Sequence, residues 1–446
     1  MRLKQIIIAL CLVLPVNAMA DMLSLADAYQ KALQYDATIS ASRADNTAEK
    51  QEIDKAFAAF LPQARVSLYK GRGITDSETP GSLGSPVSRH SVYDSENYSF
   101  SVRQSIFNKA NFASYSQAKS QVARSDALLE QDNLSLISRV SGAYLDALLS
   151  TENVRYSESQ GISVQSQLDQ AKRRFKLGVG TVTEVNEAQA NLDDVTARAL
   201  EWTNSLEYAK RAIENLTGVY PERLLGLDAS KMPLTLTELK DVDSWIGNAL
   251  STNPAIVAAE QDVKIATQEI AKSNAGHFPT LDLVASRAHT LSDTNYTIGS
   301  TYNTDSVGLQ LNIPIYSGGY VSATIRQSLA KLEQAQDKLS ERQRAVTADV
   351  RKYFNALSNG VAKVQAYTQS VTSNEIAVVG TQKAYTAGMR TNVEVLNAQE
   401  KLFAAKRDLA RERYQLIFNW MQLKQSAGVL TDADVQEANA WLSVPL

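Results

Sequence analysis

ALQYDATISASRADNTAEKQEIDKAFAAFLP at residues 32–62 and ALSTNPAIVAAEQDVKIATQEIAKSNAGHFP at residues 249–279 align without a gap, at an offset of 217. A second pair, FKLGVGTVTEVNEAQANL at 175–192 and YTAGMRTNVEVLNAQEKL at 385–402, aligns at an offset of 210. Each copy runs in the same order: a helical segment, a Pro-led strand, a polar loop, a second strand, a very long helix, a Gly turn and a returning helix. A period above 200 residues is no solenoid of short repeats. It is a duplicated half, in a chain built to fill two quasi-equivalent places in a larger ring.

The first copy opens at Leu23, and Asp36-Ala37 interrupts its helix where Asn253-Pro254 interrupts the second. After Pro62 the period switches to two. Ala64, Val66 and Leu68 alternate with Arg65, Ser67 and Tyr69, and after Pro279 Leu281, Leu283 and Ala285 alternate with Asp282, Val284 and Ser286. Polar loops are expected over 71–97 and 290–304. Returning strands are expected at Tyr98, Phe100 and Val102, and at Val307, Leu309, Leu311 and Ile313. Such strands have the length needed to cross a bilayer at a tilt.

From Lys109 to Leu177 there is no proline, and the glycines are Gly142 and Gly161. The copy, Gly319 to Ala387, has the same length of 69 residues, about 100 Å of helix at 1.5 Å per residue. Apolar residues recur at spacings of three and four (Ile137, Val140, Tyr144, Leu148; Val350, Phe354, Leu357, Val361, Val364), which predicts a coiled-coil seam. Gln165, Gln167, Gln170 and Gln369 interrupt it. Gly178 and Gly180, then Gly388, end the long helices, and Thr181 and Thr391 restart the chain as caps. Returning helices are expected over 182–217 and 392–427.

Composition narrows the classes. Arg2 and Lys4, the apolar run Ile6–Leu14 and Ala18-Met19-Ala20 read as a secretory signal, with the mature chain starting at Asp21. Cys11 lies in that signal, which removes disulfides, thiolate metal sites, a Cys nucleophile and an N-terminal lipid from the mature chain. Without the signal there remain 43 basic and 48 acidic residues, a net charge of −5 and no nucleic-acid signature. No later run of about 18 apolar residues exists to span a bilayer as a helix. His90, expected in a loop, and His277 and His289, flanking the third strand, form no catalytic group. Asp241-Val242-Asp243 lacks the glycine and glutamate of a calcium loop and reads as a helix start. No cofactor, metal or catalytic residue is assigned.

Four strands cannot close a barrel, and open edges in lipid leave backbone groups unpaired at several kcal/mol each. Several copies must therefore share one barrel; periodicity alone leaves the number open. The expected layout is a signal at 1–20, a first repeat at 21–218, a linker at 219–240, a second repeat at 241–427 and a tail at 428–446 with mobile last residues.

The FLP- and HFP-led strand pairs, AYLDAL at 143–148, KYFNAL at 352–357 and the twin Gly turns together resemble the TolC-like outer membrane channel family over nearly the whole mature chain. The resemblance implies a mainly α fold with membrane β. It implies a homotrimer whose twelve-stranded outer-membrane barrel, four strands per protomer, continues into a coiled-coil tunnel across the periplasm of a Gram-negative cell. The linker then falls in a mixed equatorial belt. The resemblance also assigns residues. Tyr385 and Arg390, against Thr183 and Glu184, match a latch that closes the periplasmic end. Glu394 and Asn397 match a constriction ring of paired carboxylates, from which Asn397 departs, and Leu396 reads as packing. The turns at Gly178, Gly180 and Gly388 match the docking surface for a periplasmic adaptor.

The function so implied is the exit duct of a tripartite export system, driven by an inner-membrane ABC transporter or a proton-driven pump. Absence of a lipidated cysteine points to type I protein secretion, with multidrug efflux as the alternative. A non-channel coiled-coil scaffold is a third reading, but it would not need two Pro-led strand pairs. An enzyme lacks any constellation of groups.

Overall fold

The computed structural model describes residues 22–80, 84–232, 241–291 and 297–445. The expected signal segment, the end of the linker and the middle of the second polar loop lie outside them. In chain order the elements are α1 (Leu25–Tyr35), α2 (Ala37–Phe57), β1 (Gln63–Pro80), β2 (Pro86–Phe107), α3 (Lys109–Lys176), α4 (Val182–Thr217), β3 (Leu225–Leu227), α5 (Val242–Thr252), α6 (Pro254–Asn274), β4 (Thr280–Leu291), β5 (Thr301–Asn312), α7 (Tyr320–Thr386), α8 (Asn392–Ser426), α9 (Asp432–Trp441) and β6 (Leu442–Pro445). They form two compact units, and each unit draws on both sequence halves.

One unit holds residues 42–131 and 254–345. Its centre is an antiparallel sheet in the order β1-β2-β4-β5, so the strand pairs of the two halves join directly through β2 and β4. The register gives the sheet two unlike faces. Val66 lies opposite Phe100, Leu68 opposite Tyr98, Leu281 opposite Leu311, Leu283 opposite Leu309 and Ala285 opposite Val307, all on one face. The other carries Arg65, Ser67, Ser99, Ser101, Ser286, Thr304 and Ser306. Val66, Leu68, Val307 and Leu309 are each more than 60% exposed, so the apolar face lacks a covering layer within the chain. Where helix meets sheet, Phe60 packs edge-on to Phe112 at 5.0 Å and to Tyr115 at 6.1 Å. The Asn111 amide donates to the Ala59 carbonyl at 3.1 Å.

Most of the polar loop expected over 71–97 is instead an extended ribbon, with residues 71–80 and 86–97 in strands. β1 runs to Pro80 and β2 starts at Pro86. Apolar alternation fades there, but pairing does not. Lys70 meets Glu96 at 2.6 Å, Arg72 meets Asp94 at 3.1 Å and His90 meets Asp76 at 2.5 Å, with Ile74 opposite Val92 between them. Complementary cross-strand charges replace hydrophobic pairs. His90 is thus in a strand. The second loop is also shorter than expected, since β4 reaches Leu291 and β5 begins at Thr301.

The other unit holds residues 22–41, 132–253 and 346–445. Buried Tyr144 of α3 fastens it: its one hydroxyl proton is shared between the carbonyls of Leu23 and Leu225, each at 2.9 Å, and its oxygen accepts from the Leu225 N–H at 3.0 Å. Burial pushes that phenol well above its ordinary pKa, so it stays a neutral donor. Asp36 ends α1 and caps α2, accepting from the Ile39 N–H at 2.9 Å. Arg139 of α3 clamps the same carboxylate through two bonds, at 2.8 and 3.0 Å. Asn253, the counterpart of Asp36, donates to the Ser426 carbonyl at 2.8 Å.

The described part of the tail carries regular structure of its own. Thr431 and Asp434 form a capping box that starts α9, and Lys424 pairs with Asp434 at 2.6 Å. Trp441 packs on Trp420 at 5.1 Å, and β6 pairs with β3 of the linker.

Asp36→Ala removes a helix cap and leaves the Arg139 guanidinium without its partner. It should destabilise the protein by about 2–4 kcal/mol, read as a lower midpoint in thermal or denaturant unfolding, with a change under 0.5 kcal/mol contradicting this account of the junction.

Candidate functional site

The two helical hairpins, α3–α4 and α7–α8, end in turns that are structural copies. In the first, the Gly178 N–H reaches the Phe175 carbonyl at 3.0 Å and the Val179 N–H the Arg174 carbonyl at 3.0 Å. In the second, Gly388 reaches Tyr385 and Met389 reaches Ala384, both at 2.9 Å. Gly178 and Gly388 have φ of 73° and 77°, the left-handed conformation that such a helix ending requires. A Cβ at Gly180 would sit 3.0 Å from the Arg174 Cβ, so this turn folds tightly onto its own helix. Thr181 and Thr391 then cap α4 and α8, accepting from the N–H of Glu184 and Glu394 at 3.2 and 3.3 Å.

Here the copies part. Glu394 completes a capping box: its carboxylate accepts the Thr391 N–H at 2.8 Å and the Arg390 guanidinium at 2.6 Å. The Thr391 backbone bond first, then the Arg390 bond, holds the Glu394 carboxyl below its ordinary range. Glu184, at the same step of the repeat, closes no such box. Its Oε2 is buried without a hydrogen-bond partner among the described residues.

The expected latch residues are therefore only partly brought together. Arg390, in the turn, is engaged by Glu394 of the helix that follows, and Thr183 is exposed. The cation facing Tyr385 is Arg174 of the first hairpin, its guanidinium centre 5.0 Å from the ring centroid. Its Nη2 donates to the Val179 carbonyl at 3.3 Å. Tyr385 is 2% exposed and its hydroxyl has no partner among the described residues. Burial raises its pKa, Arg174 opposes that rise, and the nearby Glu184 charge adds to it. Arg174 went unassigned in the sequence, although the repeat sets Phe175 opposite Tyr385 and thereby puts Arg174 beside the matching position.

Two layers join the hairpins above this contact. Leu396 packs with Val164, Leu168, Ala188 and Val195 in an apolar cluster. Asn392, one helical turn before Leu396, is fully buried, and both its amide atoms lack partners among the described residues. Further along, the Gln167 amide donates to the Gln382 carbonyl oxygen at 2.9 Å. Of the two residues matched to a constriction, the Glu394 side chain is 38% exposed and Asn397 is exposed. Val179 and Met389, at the apex of the two turns, are 64% and 75% exposed.

Residues 28–219 and 245–429 match the family model described as outer membrane efflux protein. The chain belongs to the outer membrane efflux protein family. It is 30% identical to the proteases secretion protein PrtF of Dickeya chrysanthemi over 99% of this chain and 96% of that one. It is 31% identical to the alkaline protease secretion protein AprF of Pseudomonas aeruginosa over 94% of this chain and 87% of that one. Among solved structures, the outer membrane protein VceC of Vibrio cholerae superimposes with a TM-score of 0.74 at 18% identity, covering 91% of this chain and 96% of that one.

Family membership explains the uncovered four-stranded sheet. The chain is a protomer of a trimeric outer-membrane barrel joined to a helical tunnel that spans into the periplasm of a Gram-negative bacterium. The apolar face of β1-β2-β4-β5 meets lipid and the Ser-rich face lines the bore. Proteins of this family are channels rather than enzymes.

Asn392→Leu removes two buried polar atoms that make no bond. Each such group costs about 1–3 kcal/mol, so the substitution should stabilise the hairpin contact and raise the unfolding midpoint. A lowered midpoint would show that the amide is satisfied.

Proposed function

We propose that this chain is the exit duct of a type I protein secretion system, passing an unfolded polypeptide delivered by an inner-membrane ABC transporter through a periplasmic adaptor. The observation that carries this reading is the likeness, over nearly the whole chain, to two proteins named for protease secretion. Such a duct needs a water-filled bore without catalytic groups, and the Ser- and Thr-rich sheet face supplies a polar wall.

The periplasmic end, on this reading, is held shut between the two hairpins of each protomer. Tyr385 under Arg174, beside Glu184, is the clasp, and Gln167–Gln382 reinforces it. Cation–π and amide contacts of this kind are each worth about 1 kcal/mol, which suits a closure that a partner must undo. Arg390 acts with Thr183 and Glu184 only after leaving Glu394. Glu394 supplies one carboxylate per protomer to a constriction, and Asn397 supplies none. The turns at Gly178, Gly180 and Gly388 present Val179 and Met389 to the adaptor.

Deletion of the gene should remove one or a few large proteins from the culture supernatant while leaving susceptibility to dyes, detergents and antibiotics unchanged. Hypersensitivity with an intact secretome would make the chain a drug-efflux duct instead. In single-channel recordings, Tyr385→Ala should raise conductance severalfold, whereas Glu394→Gln should lower cation selectivity without opening the channel. An unchanged reversal potential in Glu394→Gln would remove that residue from the constriction.

A further inference from the structure

The bore face of the sheet is polar along most of its length, and its aromatic side chains are confined to one zone. Going up β1, that face presents Gln63, Arg65, Ser67 and then Tyr69, whose row continues through Asn97 and Thr290 to Tyr302. Four residues further, Gly73 lies opposite Tyr93. Tyr69 and Tyr302 are 59% and 48% exposed in the protomer.

The glycines of this ribbon explain how the rings lie. Gly71 and Gly73 sit inside a long strand, where glycine weakens the sheet and marks a close approach by another group. Here that group is aromatic. A Cβ on Gly71 would fall 2.6 Å from the Tyr69 hydroxyl, and one on Gly73 would overlap the Tyr93 ring. Each ring is thus folded flat over a bare stretch of backbone, an arrangement that restores packing to glycine in strands. Flat rings leave the bore open and turn their π faces toward whatever passes.

We propose that Tyr69, Tyr93 and Tyr302, repeated by the trimer, form an aromatic contact strip inside the outer half of the barrel that binds unfolded polypeptide in transit. The occupant follows from the wall's chemistry and rests on the secretion reading. Every extended polypeptide offers planar peptide groups and scattered apolar side chains, and flat phenol rings contact both without selecting a sequence. The polar rows below give such a chain no comparable hold. Weak, repeated contacts near the exit bias an unfolded chain against sliding back while still releasing it.

The test uses the full-length trimer in a planar bilayer, with a 40-residue unstructured peptide carrying Leu and Phe added from the extracellular side. The wild type should show transient current blocks. Replacing all three tyrosines by Ser should shorten the blocks about tenfold, the effect of losing one or two aromatic contacts. Replacement by Phe should leave them within about twofold, since the rings remain. Gly73→Ala, which displaces the Tyr93 ring into the bore, should lower open-channel conductance. Heat-resistant trimer on gels establishes that each variant is assembled, and the Phe variant carries the test if the Ser variant is not. Equal block times in wild type and Ser variant overturn the proposal, as does a Phe variant that behaves like Ser. Blocks produced by maltohexaose and not by the peptide would make the strip a saccharide site. Each of these outcomes leaves the secretion reading standing, because that reading is decided by the supernatant of the deletion strain.

Discussion

The four-stranded sheet has two edges that no strand among the described residues pairs. β1 and β5 bound the four strands, and each carries a row of backbone donors and acceptors along a face meant for lipid. In hydrocarbon each unpaired group costs several kcal/mol, so the edges must meet the edges of other copies. Much else follows from that constraint. A shared barrel obliges the chain to place its strands at fixed intervals on a ring. A duplicated half is an economical way to place two strand pairs at equivalent intervals, and the pairing of β2 with β4 joins the halves inside one protomer.

Duplication also explains the hairpin tips, and the two copies part at their glutamates. Both turns end in the same glycine motif and restart with the same Thr-x-x-Glu step. In the second copy the glutamate is spent on its own cap and on Arg390. In the first it is left beside Tyr385 and Arg174, with a buried oxygen unpaired. Two turns that were fully alike would each satisfy their own charges and leave the joining of the hairpins to the Leu396 cluster and the Gln167–Gln382 bond. The polar atoms buried at the contact, with Asn392 the extreme case, weaken it.

Much of this architecture is legible in the sequence where local chemistry decides it. Glycine at the end of a proline-free stretch and threonine at the restart mark α4 at Val182–Thr217 and the start of α8 at Asn392. The lower strands are legible because their apolar faces alternate. The upper ribbon of β1 and β2 is not, since its strands are held by polar and charged pairs that join residues about 14 to 26 apart in the chain, such as Asp76 with His90 and Lys70 with Glu96, and neither partner alone signals a strand. The structure of the tail is hidden for a similar reason: β6 pairs with β3 and Lys424 with Asp434, contacts that exist only after folding. At the tip, resemblance finds Tyr385 but not the cation that faces it. Arg174 and Arg390 are equally basic in sequence, and only the capping box of Glu394 shows which of them is already engaged.

The most direct test of shared closure is disulfide trapping across the edges. The expected mature chain has no cysteine, so pairs can be introduced cleanly. Cysteine at Ser67 of β1 would be combined in turn with cysteine at Thr304, Ser306 or Gly308 of β5. Within one protomer two strands separate these edges, leaving about 14 Å between them, beyond the roughly 7 Å that a disulfide tolerates. Shared closure predicts that at least one pair oxidises into covalently linked dimers and trimers on denaturing gels, reversed by reductant. Oxidation that yields only monomer for every pair, with the protein inserted in the outer membrane, would contradict a barrel closed between copies.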